Sequence, residues 1–188
     1  MAALIVEGSD VVFSDVMTNP LRTGLFTTLR EMGASIEESD VRGDTGEPMA
    51  QLRVRASKLR GVEVPPERAP SMIDEYPVLA VAAAFAEGDT IMEGIGALRV
   101  KESDRIALVV DGLQAIGFDA QELHDGWRVT PLQPSTPPPT APTVVTGGDH
   151  RIAMAFAIAA VTGIADGVVI DDPACAEVSY PTFWSDLA

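Results

Sequence analysis

The sequence predicts one mixed α/β (α+β) domain made of repeated units, with apolar helices buried inside it. Two observations carry this. The segments "YPVLAVAAAFAEG" and "HRIAMAFAIAAVTG" are apolar nearly all round, and a helix without a polar face is buried on every side. Each then runs into a glycine and a short strand, "DTIMEG" and "GVVIDD", with amphipathic helical segments between them. The order of buried helix, strand, amphipathic helix and further strands recurs, which marks an internal repeat. A chain of 188 residues is long enough to bury such a core.

The repeat sets the reading of the N-terminus. "ALIVEGSDVVFSDV" lines up with "AAFAEGDTIMEGI", so Ala2 to Glu7 is expected to be the tail of a buried helix. On that reading the chain opens inside one unit and closes inside another, as a fragment. In "NPLRTGLFTTLREMG", Asn19 is read as a cap, Pro20 as first turn, Leu21, Leu25 and Leu29 as the apolar stripe, and Gly33 as the stop. The strand "ASIEE" follows. "SDRIALVVDGLQAIG" repeats the design, with Ser103 as cap, Ile106, Val109, Val110 and Leu113 inward, and Gly117 as stop, before the strand "FDAQE". "PTFWSDLA" reads as a third copy. "PLQPSTPPPTAPTVVTGG" and "VPPERAPS" read as extended connections, and His124 in "LHDGW" as a turn residue.

Bulk properties narrow the function. A net charge of −15 argues against nucleic acid or anionic membrane as the main partner, while a local cluster of basic residues still admits a small anion. The longest apolar run, Ile152 to Ala165, falls short of the ~20 residues of a membrane span. "MAALIVEGSD" has no signal-peptide pattern. The single cysteine, Cys175, fits a reducing compartment, so the cytoplasm is expected. Cys175 has no Cys or His at ligand spacing and no phosphate-binding glycine loop is present, so neither metal nor cofactor is expected.

The charged residues of interest sit at helix starts. Arg105 lies in a first turn, where the helix dipole is already positive. An arginine there, beside free backbone N–H groups, makes an anion site. Arg151, after Asp149, and Arg22, after Asn19, repeat the placement. One such arginine reads equally well as a partner of Asp104 or Asp149, whereas three at matching points favour anion binding. Lys101 and Glu102 precede the same helix, and a carboxylate beside two cations suits proton transfer next to a bound anion. Charge pattern alone favours a surface salt-bridge cluster there. Asp74, in "SMIDEYP", opens a buried helix and reads as a cap or a base, and His150 as a structural residue or a catalyst.

"LRVKESDRIA" and "GGDHRIAMAFAIAA" closely resemble the two C-terminal signatures of the 5-enolpyruvylshikimate-3-phosphate (EPSP) synthase family. "NPLRTGL", "LRVRASKLRGVEVPPERAPSMIDEYPVLAVAAAFAEG" and "DDPACAEVSYPTF" match it in order, covering essentially the whole chain. The resemblance implies βαβαββ units in an "inside-out" barrel, here one C-terminal-type domain, 1–188, with units near 1–70, 71–142 and 143–188 and the first incomplete. It implies transfer of the enolpyruvyl group of phosphoenolpyruvate to the 5-hydroxyl of shikimate 3-phosphate, by addition and elimination, in aromatic amino-acid biosynthesis.

By the same resemblance Asp74 takes or holds the proton of that hydroxyl, and Glu102 shuttles a proton to and from the methylene carbon. Lys101 sits by substrate and leaving phosphate, while Arg105 and Arg151 clamp phosphoenolpyruvate with His150 beside it. Val178 stands where many members carry a lysine, and Ala97 where a polar residue is common. The Lys-Ser and Asn-Ala-Gly-Thr motifs of the family's other domain are absent, so the chain alone is expected to be inactive and to need that domain as partner. Apolar surface left open by the incomplete unit is expected to drive self-association into a homo-oligomer. The alternatives are a domain of the related UDP-N-acetylglucosamine enolpyruvyl transferases and a non-catalytic binding or assembly module.

Overall fold

A computed structural model describes residues 1–43, 46–131, 141–162 and 167–188. The elements begin with α1 (Ala2–Ile5), β1 (Asp10–Met17), α2 (Gly24–Glu31), β2 (Ser35–Arg42), β3 (Met49–Arg55) and β4 (Glu63–Val64). Two 3-10 turns, Pro66–Ser71 and Ile73–Glu75, lead into α3 (Tyr76–Ala84) and β5 (Thr90–Met92). A third, Gly96–Val100, precedes α4 (Arg105–Ala115), β6 (Asp119–Leu123), β7 (Gly126–Thr130) and β8 (Thr143–Val144). The chain ends with α5 (His150–Ala160), β9 (Val169–Ile170), a 3-10 turn Pro173–Val178 and α6 (Phe183–Leu187). Helix, strand, turn and second helix thus recur three times in register with the repeat.

The apolar helices lie inside. Tyr76, Pro77, Leu79 and Ala80 to Ala84 of α3 are all buried, as are Ile152, Ala153, Ala155, Phe156, Ala157 and Ala159 of α5. Alanine along both helices lets them pack closely, and α4 lies against the pair with Ile106, Val109, Val110 and Leu113 inward. Among the described residues three sheets pack around them. One has the order β1-β3-β2 and is antiparallel, the second is β4-β5-β7-β6 with β4 and β5 parallel, and β8 pairs with β9 in parallel. Trp127 of β7 is fully buried, edge-on to Tyr76 at 6.4 Å. His124 sits in the turn between β6 and β7. Val11 and Phe13 of β1 stay 37% and 44% exposed although their β3 partners Val54 and Leu52 are buried, which leaves apolar surface at that edge of the sheet.

Several local expectations need correction. The helix expected from Asn19 begins at Gly24. Asn19 Oδ1 accepts the Leu21 N–H at 2.9 Å, and its carbonyl accepts the Arg22 N–H at 2.8 Å. This self-contained turn competes with the helix, leaves Leu21 76% exposed and puts Arg22 outside any helical first turn. "VPPERAPS" is largely a 3-10 turn and not an extended connection. Proline φ values suit the turn, and Arg68 anchors it to Glu31 and to Thr28 Oγ1. The centre of the Pro-rich stretch, 132–140, and the end of the run from Ile152, 163–165, fall outside the described residues.

The cap of α4 is Asp104 and not Ser103. Asp104 Oδ1 accepts the N–H groups of Ile106 and Ala107, both at 3.1 Å, while Ser103 Oγ donates to Asp149. Asp149 engages the Ser103 hydroxyl, and the Asp104 charge also meets the positive end of the helix. Asp104→Ala is therefore expected to cost about 1 kcal/mol of stability, read as a shift in the urea midpoint at unchanged slope.

Candidate active site

The starts of α3, α4 and α5 meet at one place, and the charged residues singled out by sequence meet with them. Asp74 belongs to the 3-10 turn ahead of α3. It makes no cap, and its carboxylate faces three cations instead. Arg105 NH1 donates to Asp74 Oδ1 at 3.1 Å, Lys101 Nζ lies 3.6 Å from the same oxygen, and Arg151 NH2 lies 3.8 Å from Oδ2. Arg151 NH1 also donates to the Asp74 carbonyl at 2.9 Å and approaches Glu75 Oε1 at 3.6 Å. Burial alone would raise the Asp74 carboxyl, yet Arg151, Lys101 and Arg105 together hold it below its ordinary value. Beside it Glu75 is pushed up, by burial first and then by Asp74.

Arg105 is the hub. Its side chain is fully buried, with Nε 2.8 Å from Asp149 Oδ2, NH2 3.3 Å from Asp149 Oδ1 and NH2 2.6 Å from Glu102 Oε2. Glu102 keeps about half its side chain open to solvent, so this carboxylate is tethered by one oxygen and accessible by the rest. Arg105 therefore presents its guanidinium already engaged with three carboxylates, a buried cation compensated on several sides.

The sequence marks Asp149 only as a possible partner of one arginine. It is fully buried and joins the two loops. It accepts Ser103 Oγ at 2.9 Å, both Arg105 contacts, and the backbone N–H of Arg151 at 2.9 Å, which makes it the cap of α5. Burial raises its carboxyl, but the Arg105 guanidinium and the Arg151 N–H outweigh that and hold it low. Its only sequence signal is the Asp before an apolar helix in "GGDHRIA", which says cap and nothing of Arg105.

Two details of the expected anion site change. The N–H groups of Ile106, Ala107 and Arg151 are taken by Asp104 and Asp149, so much of the charge for an anion here comes from side chains. Arg22, expected as a third such arginine, is exposed in the turn before α2. His150 is the first residue of α5 and half-buried, next to Arg151. Ala97 lies in the 3-10 turn before Lys101, and Val178 is 82% exposed at the end of its own turn. A pocket of about 280 Å³ opens beside Asp74, Glu75 and Arg151, its further walls apolar from Leu25, Val78, Met154 and Phe183. Among the described residues no group of His, Cys, Asp and Glu is arranged to hold a metal, and no helix is long and apolar enough to cross a membrane.

Chemically the arrangement offers one ionised carboxylate ringed by cations, a second carboxylate partly open to solvent, and two partly exposed cations, Lys101 and Arg151, with Arg105 buried behind them. That suits an anionic substrate whose reaction moves protons.

Comparison with known proteins gives the family. The family model described as EPSP synthase (3-phosphoshikimate 1-carboxyvinyltransferase) matches residues 1–187. A 3-phosphoshikimate 1-carboxyvinyltransferase of Bradyrhizobium diazoefficiens is 64% identical over 97% of this chain, which covers 38% of that relative. One of Caulobacter vibrioides is 54% identical over 97% of the chain and is covered to 41%. The solved EPSP synthase of Acinetobacter baumannii superposes with a TM-score of 0.90 at 38% identity, over all of this chain and 42% of that one. The enolpyruvyl transferase NikO of Streptomyces tendae shares the fold, with a TM-score of 0.69 at 19% identity over 99% of this chain and 39% of that one. The chain spans about two-fifths of the length of the curated relatives it matches, and by its whole-length match it belongs to the EPSP synthase family.

Proposed function

We propose that this chain supplies one wall of a 3-phosphoshikimate 1-carboxyvinyltransferase site, and that turnover belongs to it together with the remaining three-fifths of such a protein. The observation that carries the reading is the Asp74 carboxylate facing Lys101, Arg105 and Arg151 at once, with Glu102 on the same arginine. Its substrates are phosphoenolpyruvate and shikimate 3-phosphate, its partner is the other domain, and its place is the cytoplasm. We assign the whole of 1–188 to one domain, in units near 1–70, 71–142 and 143–188. The open edge of β1, with Val11 and Phe13, is the surface through which isolated chains pair.

In this reading Asp74 holds the 5-hydroxyl of shikimate 3-phosphate and accepts its proton as the oxygen bonds to C2 of phosphoenolpyruvate. Glu102 delivers a proton to C3 in that step. It takes one back from C3 as the C2–O bond to phosphate breaks, so the enol ether forms, and the proton held by Asp74 passes to the departing phosphate and resets that carboxylate. Lys101 offsets charge on the leaving phosphate, and Arg105 and Arg151 hold phosphoenolpyruvate with His150 alongside. The cations act where negative charge gathers on the reacting groups, in a setting already fixed by Asp149.

The experiment is a phosphate-release assay with both substrates. The isolated chain should be silent, and mixing it with the separately expressed N-terminal part of a close relative should restore turnover. In the mixture Glu102→Gln should lower kcat by roughly 10²- to 10⁴-fold, the usual worth of a proton-transferring group. Turnover by the chain alone would overturn the shared-site reading. A mixture that binds both substrates but is untouched by Glu102→Gln would overturn the role of Glu102.

A further inference from the structure

Arg99 lies outside the cluster and makes more polar contacts than its partly exposed position requires. Its NH1 donates to Asp104 Oδ2 at 3.2 Å, and its NH2 donates to the carbonyls of Leu123 at 3.1 Å and His124 at 3.3 Å. The same NH2 pairs with Glu122 Oε1 at 2.7 Å. Asp104 caps α4, while Glu122, Leu123 and His124 belong to the β6–β7 hairpin. Only Val100, Lys101, Glu102 and Ser103 lie between Arg99 and Asp104, so the Arg99–Asp104 pair closes a small loop around the two residues nearest the proposed chemistry.

The side chains of that loop reach Asp74 and Arg105, but little holds its backbone. Among the described residues no backbone N–H of Lys101 or Glu102 bonds to another segment, and Val100 is 85% exposed and gives no apolar anchor. The far end is pinned by Ser103 to Asp149. The near end is pinned by Arg99, whose planar fork reaches a carboxylate on either side and two carbonyls at once, as a lysine ammonium does not.

We propose that Arg99 is a positioning residue for Lys101 and Glu102, tying their loop to the β6–β7 hairpin so that the Lys101 ammonium stays within reach of Asp74. The value of that position for catalysis rests on the function proposed above, whereas the positioning itself does not.

The chain's lysines are Lys58 and Lys101, and Lys58 is exposed. Reductive methylation with ¹³C-formaldehyde keeps the lysine charge and labels both, together with the Met1 amine, whose signal Lys58→Arg and Lys101→Arg variants leave in place. The Lys101 methyl signal is expected apart from that of Lys58, and Asp74→Asn should shift it. Arg99→Ala should move it at least half-way to the Lys58 position while Lys58 itself and the dispersed methionine methyl signals stay in place. Glu122→Gln, on the exposed hairpin, should move it in the same direction by less, and decides the matter where Arg99→Ala does not fold. A Lys101 signal unmoved in a folded variant overturns the proposal. Added phosphoenolpyruvate reads the functional proposal separately: an unliganded signal that obeys Arg99 but ignores phosphoenolpyruvate would count against the anion site and leave the positioning role standing.

Discussion

Asp149→Ala is expected to lower the stability of the chain by about 3–5 kcal/mol, the usual cost of stripping one partner from a buried ion pair. The variant leaves the Arg105 guanidinium buried with its Nε unpaired, removes the cap of α5 and frees Ser103. The thermal midpoint should fall by roughly 10 °C, since each kcal/mol is worth about 2–4 °C in a domain of this size. Asp111→Ala, on the exposed side of α4, is the control and should change little. Equal losses for the two would show that Asp149 carries no special weight.

The same residue predicts a pH dependence. The folded-state carboxyl of Asp149 lies below its ordinary value of 3.8, so its contribution is present above 3.8 and is lost as pH falls through the lower folded value. Asp74 acts in the same direction, while Glu75, raised above 4.5, acts in the opposite one and favours the fold once protonated. Thermal unfolding followed from pH 7 down to pH 2 should therefore show an added acid loss in the parent chain that sets in below 3.8. Asp149→Asn should show a shallower loss from a lower starting stability. A parallel pair of curves would remove Asp149 from the acid response.

How much of this was legible in the sequence depends on how local the cause is. The burial of α3 and α5, the inward set Ile106, Val109, Val110 and Leu113, and the His124 turn all follow from composition and period within a few residues. Leu21 did not, because the Asn19 side chain closes a turn that the same residues describe equally well as a helix start. Ser103 and Asp104 are both competent caps, and the choice was made by Asp149, a residue 46 positions from Ser103. The site divides the same way. Arginines at helix starts are a sequence pattern, whereas the meeting of Asp74 with Arg105 spans 31 positions and depends on how three buried helices converge. Resemblance to a family supplied that convergence in advance; charge spacing left it open.

Gly112→Ala is expected to destabilise the chain by about 1–3 kcal/mol, the range for overpacking a filled core. The direction is the informative part, because in an open helix the same change stabilises by roughly 0.5–1 kcal/mol. Gly112 lies inside α4 against α5, and a Cβ there would meet three carbons of the Phe156 ring at 2.3, 2.6 and 2.9 Å. Phe156 is fully buried among α3, α4 and α5, so the ring has no solvent side to swing into, and the cost falls on the distance between the two helices. Both helices begin at the charged cluster, with Arg105 on one and Arg151 on the other. Pushing them apart therefore reaches the Arg105–Asp149 contact as well as the core. The test is a double-mutant cycle with Phe156→Leu. Alone, Phe156→Leu should destabilise by leaving a void, and combined with Gly112→Ala it should cost less than the sum of the two, because the methyl group fills space that the ring has left. Strict additivity would mean that the cost of the added methyl does not come from the ring it faces.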